Sequence, residues 1–163
     1  MKTRTRRSVW MAGVAGIMIA SGVGRAWAAP YTWNSTSDGN WDDATATGWN
    51  TGGAYPNAQN DTATFSLNIT NNQTVTINVA DARVGTLTLA DTTPDNGWVI
   101  TNSGANTLTF DVAAGLATIN AIGPSVLPYN LNPHTISAPI AASVPLTLNL
   151  GTNGGLALSG NNA

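Results

Sequence analysis

The chain has 163 residues, a formal net charge of −2 and no cysteine. Since disulfide bonds and thiolate metal sites both require cysteine, neither can stabilise this fold. The chain contains six Lys and Arg residues, and five of them lie within the first 25 positions. Nucleic-acid binding by the remaining chain is therefore excluded, because a phosphate backbone is bound through Lys and Arg.

The first 28 residues have the pattern of a secretory signal peptide. A basic head with four Lys or Arg residues precedes an uncharged run over residues 9–24. The small residues of Ala26-Trp27-Ala28 follow, so we expect cleavage after Ala28. The run is shorter than the roughly 18 apolar residues that a membrane-spanning helix needs. The chain is therefore predicted to be exported, either to the cell surface or into the medium.

Removal of residues 1–28 would change the charge balance of the chain. The mature part, residues 29–163, keeps one fixed cation, Arg83, and all eight aspartates, which gives a net charge of −7. Such a chain has no basic patch with which to bind anionic lipid. We expect no nucleic-acid partner and no membrane insertion of the mature chain.

Alternation of apolar and polar residues runs through the mature chain and predicts β-strands with one buried face. Glu and Lys, which favour helices, are absent from the mature chain, whereas Thr and Asn are abundant. The residues expected to face inward are, in chain order, Val75, Ile77 and Val79; Leu87 and Leu89; Leu108, Phe110 and Val112; Leu116 and Ile119; Leu146, Leu148 and Leu150; and Leu156 and Leu158.

Short turn sequences separate these strands, and they include Asn96-Gly97 and Asn153-Gly154, whose residues tolerate a positive φ. The strand centres follow one another at intervals of about nine to twelve residues, which is typical of all-β folds. Small and medium apolar residues inside, with Thr and Asn outside, favour a parallel β-helix (solenoid). A β-sandwich is the alternative.

One segment, residues 121–145, breaks this rhythm with five prolines. Proline cannot donate a hydrogen bond to a β-ladder. We therefore expect a loop with two short edge strands, around residues 135–137 and Ile140.

Three tryptophans, Trp33, Trp41 and Trp49, stand at equal steps of eight in a polar stretch. An open solenoid end exposes apolar core and unpaired strand edges, so these rings would form a cap over the first rung. In the alternative, the same rings and Tyr55 form a platform that stacks on sugars. A cap predicts buried tryptophans, whereas a platform predicts exposed, coplanar ones.

The sequence also contains candidate residues for a calcium site and for an active site. Asp38, Asn40 and Asp42 have the alternating spacing with which calcium loops begin, although the later positions of such a loop are not matched. No other cofactor is expected. The only histidine, His134, is predicted to be an ordinary surface or loop residue, and most aspartates are expected to shape turns. The chain is therefore not expected to be an enzyme.

Residues 33–66 resemble the opening module of exported bacterial proteins that carry autotransporter-associated β-strand repeats. That module places tryptophans before a Gly-Asp-Thr-Ala-x-Phe motif, and this chain has Asn60-Asp61-Thr62-Ala63-Thr64-Phe65. The strands that follow are also similar to the family, as is the final "GGLALSGNNA", which ends in mid-repeat. The resemblance implies a right-handed parallel β-helix that serves as a surface or secreted passenger.

The sequence thus predicts a signal peptide over residues 1–28, a Trp-rich N-terminal cap over 29–66 and β-solenoid rungs over 67–163. The expected function is that of a non-enzymatic extracellular structural module, adhesin-like by the resemblance. One alternative is a carbohydrate-binding module that uses the three tryptophans, and the other is a β-helix polysaccharide lyase or hydrolase. An extracellular polysaccharide or a cell-surface molecule is the expected partner.

Overall fold

The computed structural model describes residues 28–91, 96–123, 132–151 and 153–160. The predicted signal peptide lies outside the described residues, apart from Ala28. Within the described ranges, no helix is long and apolar enough to cross a membrane.

All regular secondary structure in the described residues is β-strand, as the period-two alternation predicted. The strands, in chain order, are β1 Pro30–Thr32, β2 Gly39–Asn40, β3 Thr62–Phe65, β4 Gln73–Ile77, β5 Arg83–Val84, β6 Thr86–Ala90, β7 Trp98–Asn102, β8 Leu108–Phe110, β9 Ala117–Ile122, β10 His134–Ile136, β11 Ile140–Ala142, β12 Leu146–Leu150 and β13 Leu156–Leu158. The prediction of an all-β fold is therefore confirmed.

The strands form three parallel sheets, which the chain visits in rotation. The first sheet has the order β1-β3-β6-β9-β12, the second β2-β4-β7-β10-β13 and the third β5-β8-β11. From β3 to β10, each strand pairs with the strand three places later in the chain. β-Sandwiches are built from antiparallel sheets, so the parallel pairing speaks against the sandwich alternative.

The register of the first sheet places like residues in rows across the strands. An inward row contains Ala63, Leu87, Ile119 and Leu148, and an outward row contains Thr64, Thr88, Asn120 and Asn149. In the outward row, the Asn120 amide donates a hydrogen bond to the Thr88 hydroxyl, and the Asn149 amide donates one to the Asn120 carbonyl oxygen, both at 3.1 Å. Such side-chain ladders add polar contacts to the backbone pairing.

The inward faces of the middle strands form one continuous core, and most of the predicted inward residues lie in it. Val79 and Val112 lie just beyond their strands and are partly buried. The prediction for Leu116 was wrong, because its side chain is 58% exposed, whereas Ala117, Ile119 and Ala121 face inward. The pairing of β9 with β6 decides this register, and Leu116, which directly precedes β9, has the opposite phase to the correctly predicted Ile119.

The proline-rich segment contains the two short strands that were predicted, but only one of them is an edge strand. β11 pairs only with β8, whereas β10 lies between β7 and β13. The prolines in the described part of the segment, Pro133, Pro139 and Pro145, all lie outside the strands. Because they only flank the strands, they do not interrupt the ladder. Residues 124–131 of the segment lie outside the described residues.

The inward rows continue into the last strands, but their leucines are not covered there. Leu148 and Leu150 of β12 are 48% and 61% exposed, and Leu158 of β13 is 40% exposed. β12 and β13 are the last strands of the first and second sheets, with no further described strand beyond them. One end of the strand stack is therefore open.

We expect the same inward row to respond very differently to truncation at its middle and at its open end. Ile119→Ala should lower the free energy of unfolding by roughly 2–5 kcal/mol, because it leaves a cavity in the core. Leu148→Ala, one strand further along the row, should cost about 1 kcal/mol or less, since that side chain is half exposed. Urea denaturation followed by circular dichroism measures both. Equal losses would mean that the last strand is covered in solution.

Candidate functional site

The candidate site is a cluster of aromatic side chains at the first end of the strand stack. Its members, here called the aromatic cluster, are Tyr31, Trp33, Trp41, Trp49, Phe65 and Trp98. All four tryptophans and Phe65 are completely buried, and Tyr31 is nearly so. Both the sugar-stacking prediction and the capping prediction concern this cluster.

Local backbone structure explains why the tryptophans are spaced by eight residues. Trp33 directly follows β1 and donates its backbone N–H to Thr64 of β3, while Trp41 directly follows β2 and donates its own to Thr76 of β4. The chain then turns back, so that Trp49 forms an isolated antiparallel bridge with Trp33. Each tryptophan thus marks one pass of the chain across the same end of the molecule.

The rings pack edge to face around Trp49, and Phe65 contacts Trp33, Trp41 and Trp98 at tilted angles. The centroid of Trp49 lies 5.2 Å from those of Trp33 and Trp41, at interplanar angles of 79° and 70°. Phe65 lies 5.3 Å from Trp49 and 5.2 Å from Trp98. Aromatic rings attract one another in this geometry. The tryptophan rings are buried, as a cap predicts. They are neither exposed nor coplanar, so they offer no free face on which a sugar could stack.

The indole N–H groups differ in their hydrogen bonding. Trp41 Nε1 donates to the Pro56 carbonyl at 2.9 Å, and Trp49 Nε1 donates to the Trp41 carbonyl at 2.6 Å. Trp98 Nε1 donates to the Ala90 carbonyl at 3.0 Å. Trp33 Nε1 is buried and has no hydrogen-bond partner among the described residues. A buried donor without a partner costs free energy, so any stability that Trp33 contributes comes from the packing of its ring.

Close packing around Trp33 also explains a nearby glycine. A Cβ atom on Gly39 would lie 2.7 Å from two atoms of the Trp33 ring, which is too close for carbon atoms. Gly39 begins β2, so β2 can approach the buried indole only because this position has no side chain.

Tyr55, the fourth residue of the predicted sugar platform, is partly exposed and takes no part in these ring contacts. Its hydroxyl lies 3.2 Å from Oδ1 of Asp81. Partial burial, and next the negative charge of Asp81, raise the pKa of Tyr55. Tyr55 therefore packs against the buried core that contains the three tryptophans, but outside the aromatic cluster itself.

The residues of the calcium candidate act in hydrogen bonds between neighbouring strands. Oδ1 of Asp38 accepts the backbone N–H of Thr74 at 2.7 Å, and Oδ1 of Asp42 accepts the side-chain amide of Asn78 at 2.7 Å. Asn40 is exposed between them. No group of three or more His, Asp or Glu side chains suited to a metal occurs in the described part of the chain. These two carboxylates therefore link the residues that flank β2 to β4 and to the residue that follows it.

Asp61, which the sequence did not single out as a site residue, is a buried carboxylate. Its side chain is only 2% exposed, and Oδ1 accepts the backbone N–H of Ala29 at 3.1 Å. Oδ2 accepts the backbone N–H groups of Asn57 and Ala58 at 3.2 and 3.0 Å. The family-like motif contains this residue, but only the fold shows that segments far apart in the chain meet at it.

Arg83, which is the only Lys or Arg in residues 29–163, takes part in a structural contact. Its guanidinium lies 3.4 Å from the carboxylate of Asp111. That carboxylate also accepts hydrogen bonds from the Gln59 amide at 3.0 Å and the Ser143 hydroxyl at 2.7 Å. These two hydrogen bonds, followed by the Arg83 charge, lower the pKa of Asp111. The contacts tie four separate segments of the chain together, at residues 59, 83, 111 and 143.

His134 is completely buried, so its prediction as a surface or loop residue was wrong. It begins β10, which lies between β7 and β13, and its ring faces inward. Nδ1 accepts the backbone N–H of Trp98 at 3.1 Å, and Nε2 lies 3.2 Å from the Ile122 carbonyl. A neutral ring with its proton on Nε2 satisfies both contacts. Burial lowers the pKa of His134, outweighing the Ile122 contact and the charge of Asp91.

Comparisons with models of known protein families, with characterised proteins and with solved structures each found no match to this chain. The resemblance to the autotransporter-associated repeat proteins therefore stays a prediction.

We expect Trp41→Phe to destabilise the protein more than Trp33→Phe. Both changes remove a similar apolar area, but Trp41→Phe also leaves the Pro56 carbonyl without its indole donor. The difference in the free energy of unfolding should be about 1 kcal/mol, the net value of one hydrogen bond. Urea denaturation of the two variants measures it. A larger loss for Trp33→Phe would mean that the Trp33 indole N–H has a partner in solution.

His134 should make the protein less stable in mild acid. Its pKa in the folded state is lowered, so the stability gained from the neutral ring is complete above the ordinary value of about 6.5. That stability is lost as the pH falls through the lowered folded-state pKa, because the protonated ring can no longer accept the Trp98 N–H. Urea midpoints between pH 7.5 and 5 should therefore fall in the wild type. They should fall less in His134→Asn, and equal slopes would contradict the assignment.

Proposed function

We propose that this chain is an exported, non-enzymatic structural module. It would form the N-terminal aromatic cap and the first rungs of a right-handed parallel β-helix in a surface or secreted repeat protein. The observation that carries the proposal is the difference between the two ends of the strand stack. Buried tryptophans cover the first end, whereas inward-facing leucines are partly exposed at the last.

The rotation of the chain through the three sheets supports the β-helix. After β3, β6 and β9 of the first sheet, the chain contributes a strand to the second sheet and then to the third before it returns. β3 to β5, β6 to β8 and β9 to β11 each make one such turn. A right-handed path is expected, since crossovers between parallel strands are right-handed in nearly all proteins.

The aromatic cluster has the properties that a cap requires. An uncovered first rung would expose core side chains to water and unpaired backbone groups to other strands. Trp33 and Trp41 extend the hydrogen bonding of β1 and β2, and Trp49 bridges back to Trp33. Their large rings then close the core at the point where the regular rungs begin, which supports a sealing role.

The open end supports a role in starting a longer stack. Leu148 and Leu150 lie above Ile119 and Ala121, in rows that are buried in the preceding strands. A further parallel strand with alternating apolar residues would cover these leucines and pair with the free edge of β12. The edge of β12 would thus set the register in which the next rung pairs.

The outer face of the first sheet bears on the proposed extracellular partner. Its strands carry uncharged polar side chains at outward positions. One outward row consists of Thr64, Thr88, Asn120 and Asn149. Hydroxyl and amide groups of this kind suit a neutral polysaccharide or a cell-surface molecule. Sugar stacking on the tryptophans has no support from their burial, and a polysaccharide-cleaving activity has none from the aspartates described above.

The tryptophans provide a direct test, because all four in residues 29–163 are completely buried. We expect the processed chain to show blue-shifted emission that is shielded from acrylamide and is unchanged by a panel of soluble neutral and acidic polysaccharides. The same chain unfolded in urea provides the exposed reference. Red-shifted emission that one glycan protects from quenching would contradict the proposal and favour a carbohydrate-binding module instead.

A further inference from the structure

Among the described residues, the buried carboxylate of Asp61 has backbone donors but no paired cation. Three N–H groups, from Ala29, Asn57 and Ala58, bind its two oxygens. The ion pair found within the described residues joins Arg83 to Asp111 instead. A buried carboxylate is expensive unless an opposite charge accompanies its hydrogen bonds, so this arrangement lacks one favourable partner.

One of the three donors is the backbone nitrogen of the residue that is expected to become the mature N-terminus. The signal-peptide pattern places the cut between Ala28 and Ala29. Ala28 is exposed, whereas Ala29 is partly buried, and its carbonyl accepts the N–H of Thr62 at 3.0 Å. β1 begins at the next residue, Pro30, which pairs with Thr62 of β3. The nitrogen of Ala29 thus lies at Asp61 with the following residue already in β1, whereas the residue before it, Ala28, is exposed.

We propose that processing between Ala28 and Ala29 creates a buried ion pair between the new α-ammonium group of Ala29 and the carboxylate of Asp61, and that this pair locks the aromatic cap. Hydrolysis of the peptide bond consumes one water and leaves a carboxylate on Ala28 and an ammonium group on Ala29. The inference rests on the proposed function in one respect, which is that the chain is exported and processed.

The chemistry of the nitrogen explains the gain. In the precursor, Ala29 offers one neutral N–H to Asp61, but the free amine carries a positive charge and three protons. The hydrogen bond of the precursor has a charge on the acceptor only, whereas the processed chain would carry opposite charges on donor and acceptor, which adds a direct Coulombic attraction. The negative charge already acts on its surroundings, because the pKa of Tyr31 is raised by burial and then by Asp61. The new ammonium group of Ala29 would offset the negative charge of the Asp61 carboxylate by direct contact.

The position of the pair connects processing to the fold of the cap. Ala29 lies directly before β1, and the buried rings of Tyr31 and Trp33 follow within four residues. The Asp61 carboxylate also accepts the backbone N–H groups of residues 57 and 58. The backbone carbonyl of Asp61 accepts the N–H of Gly85 at 2.7 Å. The ion pair would therefore join the first strand, the loop before β3 and the turn before β6. The cap would reach its full stability only after the signal peptide has been removed.

The composition of the mature chain gives a clean experiment, because it contains no lysine. An amine-directed acetylating reagent will therefore modify the α-amino group of the processed chain, purified after export, without acetylating any lysine side chain. We expect acetylation to increase the unfolding equilibrium constant at pH 6.5 about tenfold, because the acetylated nitrogen keeps one neutral N–H but loses the positive charge that pairs with Asp61. In Asp61→Asn the same treatment should change it less than twofold. Asp81→Asn removes an exposed carboxylate instead and should respond like the wild type.

A pH titration tests the same pair without any substitution. The carboxylate should raise the pKa of the folded-state amine above its ordinary value of about 8. The stability from the pair is then complete below that ordinary value and is lost as the pH rises through the raised pKa. The unmodified chain should show this loss and the acetylated chain should not. If Asp61→Asn fails to fold, this comparison still decides the question.

Two results would overturn the inference. One is equal stability and equal pH dependence of the free and acetylated wild-type chains. The other is N-terminal sequencing of the exported chain that finds a first residue other than Ala29. A glycan that protects the tryptophans would refute the proposed structural function but would leave the ion pair intact, so the two failures can be told apart.

Discussion

Parallel hydrogen bonding between strands three places apart in the chain is the constraint on which the rest of this structure depends. It stacks the strands in register, so that inward residues such as Leu87 and Ile119 fall in one row. The same register brings Thr88 and Asn120 together on the outside, where their side chains bond to each other. Because the backbone sets the spacing, small polar residues can line a face that carries almost no charge.

A stack of strands built in this way has two ends, and in this chain they are treated differently. At the first end the chain makes three passes, each bearing a tryptophan, and Phe65 of β3 contacts all three rings. The packing is dense enough to leave the Trp33 indole N–H unpaired and to exclude a side chain at Gly39. At the last end, the core rows simply continue into strands that are half exposed. The two ends of the strand stack therefore differ: the apolar core is covered at the first end and partly exposed at the last.

Charged and ionisable groups are few, and the buried ones link segments that are distant in the chain. Asp61 joins residue 29 to residues 57–58, and His134 joins β10 to the N–H of Trp98 and the carbonyl of Ile122. Neither role could be predicted from local sequence. The alternation pattern classifies a residue by its neighbours along the strand, whereas these contacts come from neighbouring strands and loops. For the same reason, the edge position predicted for β10 was wrong.

The sequence by itself determined the all-β class and the inward faces of the middle strands, because alternation of period two directly encodes which side of a strand is buried. Leu87, Leu89 and Phe110 were predicted in this way. The phase failed at Leu116, where a short apolar stretch fits two registers and only pairing with β6 selects one. The tertiary structure alone decided that Trp33 and Trp49 pack edge to face inside the core and that Asp61 meets Ala29. Such contacts depend on how distant segments stack, and no local pattern encodes that.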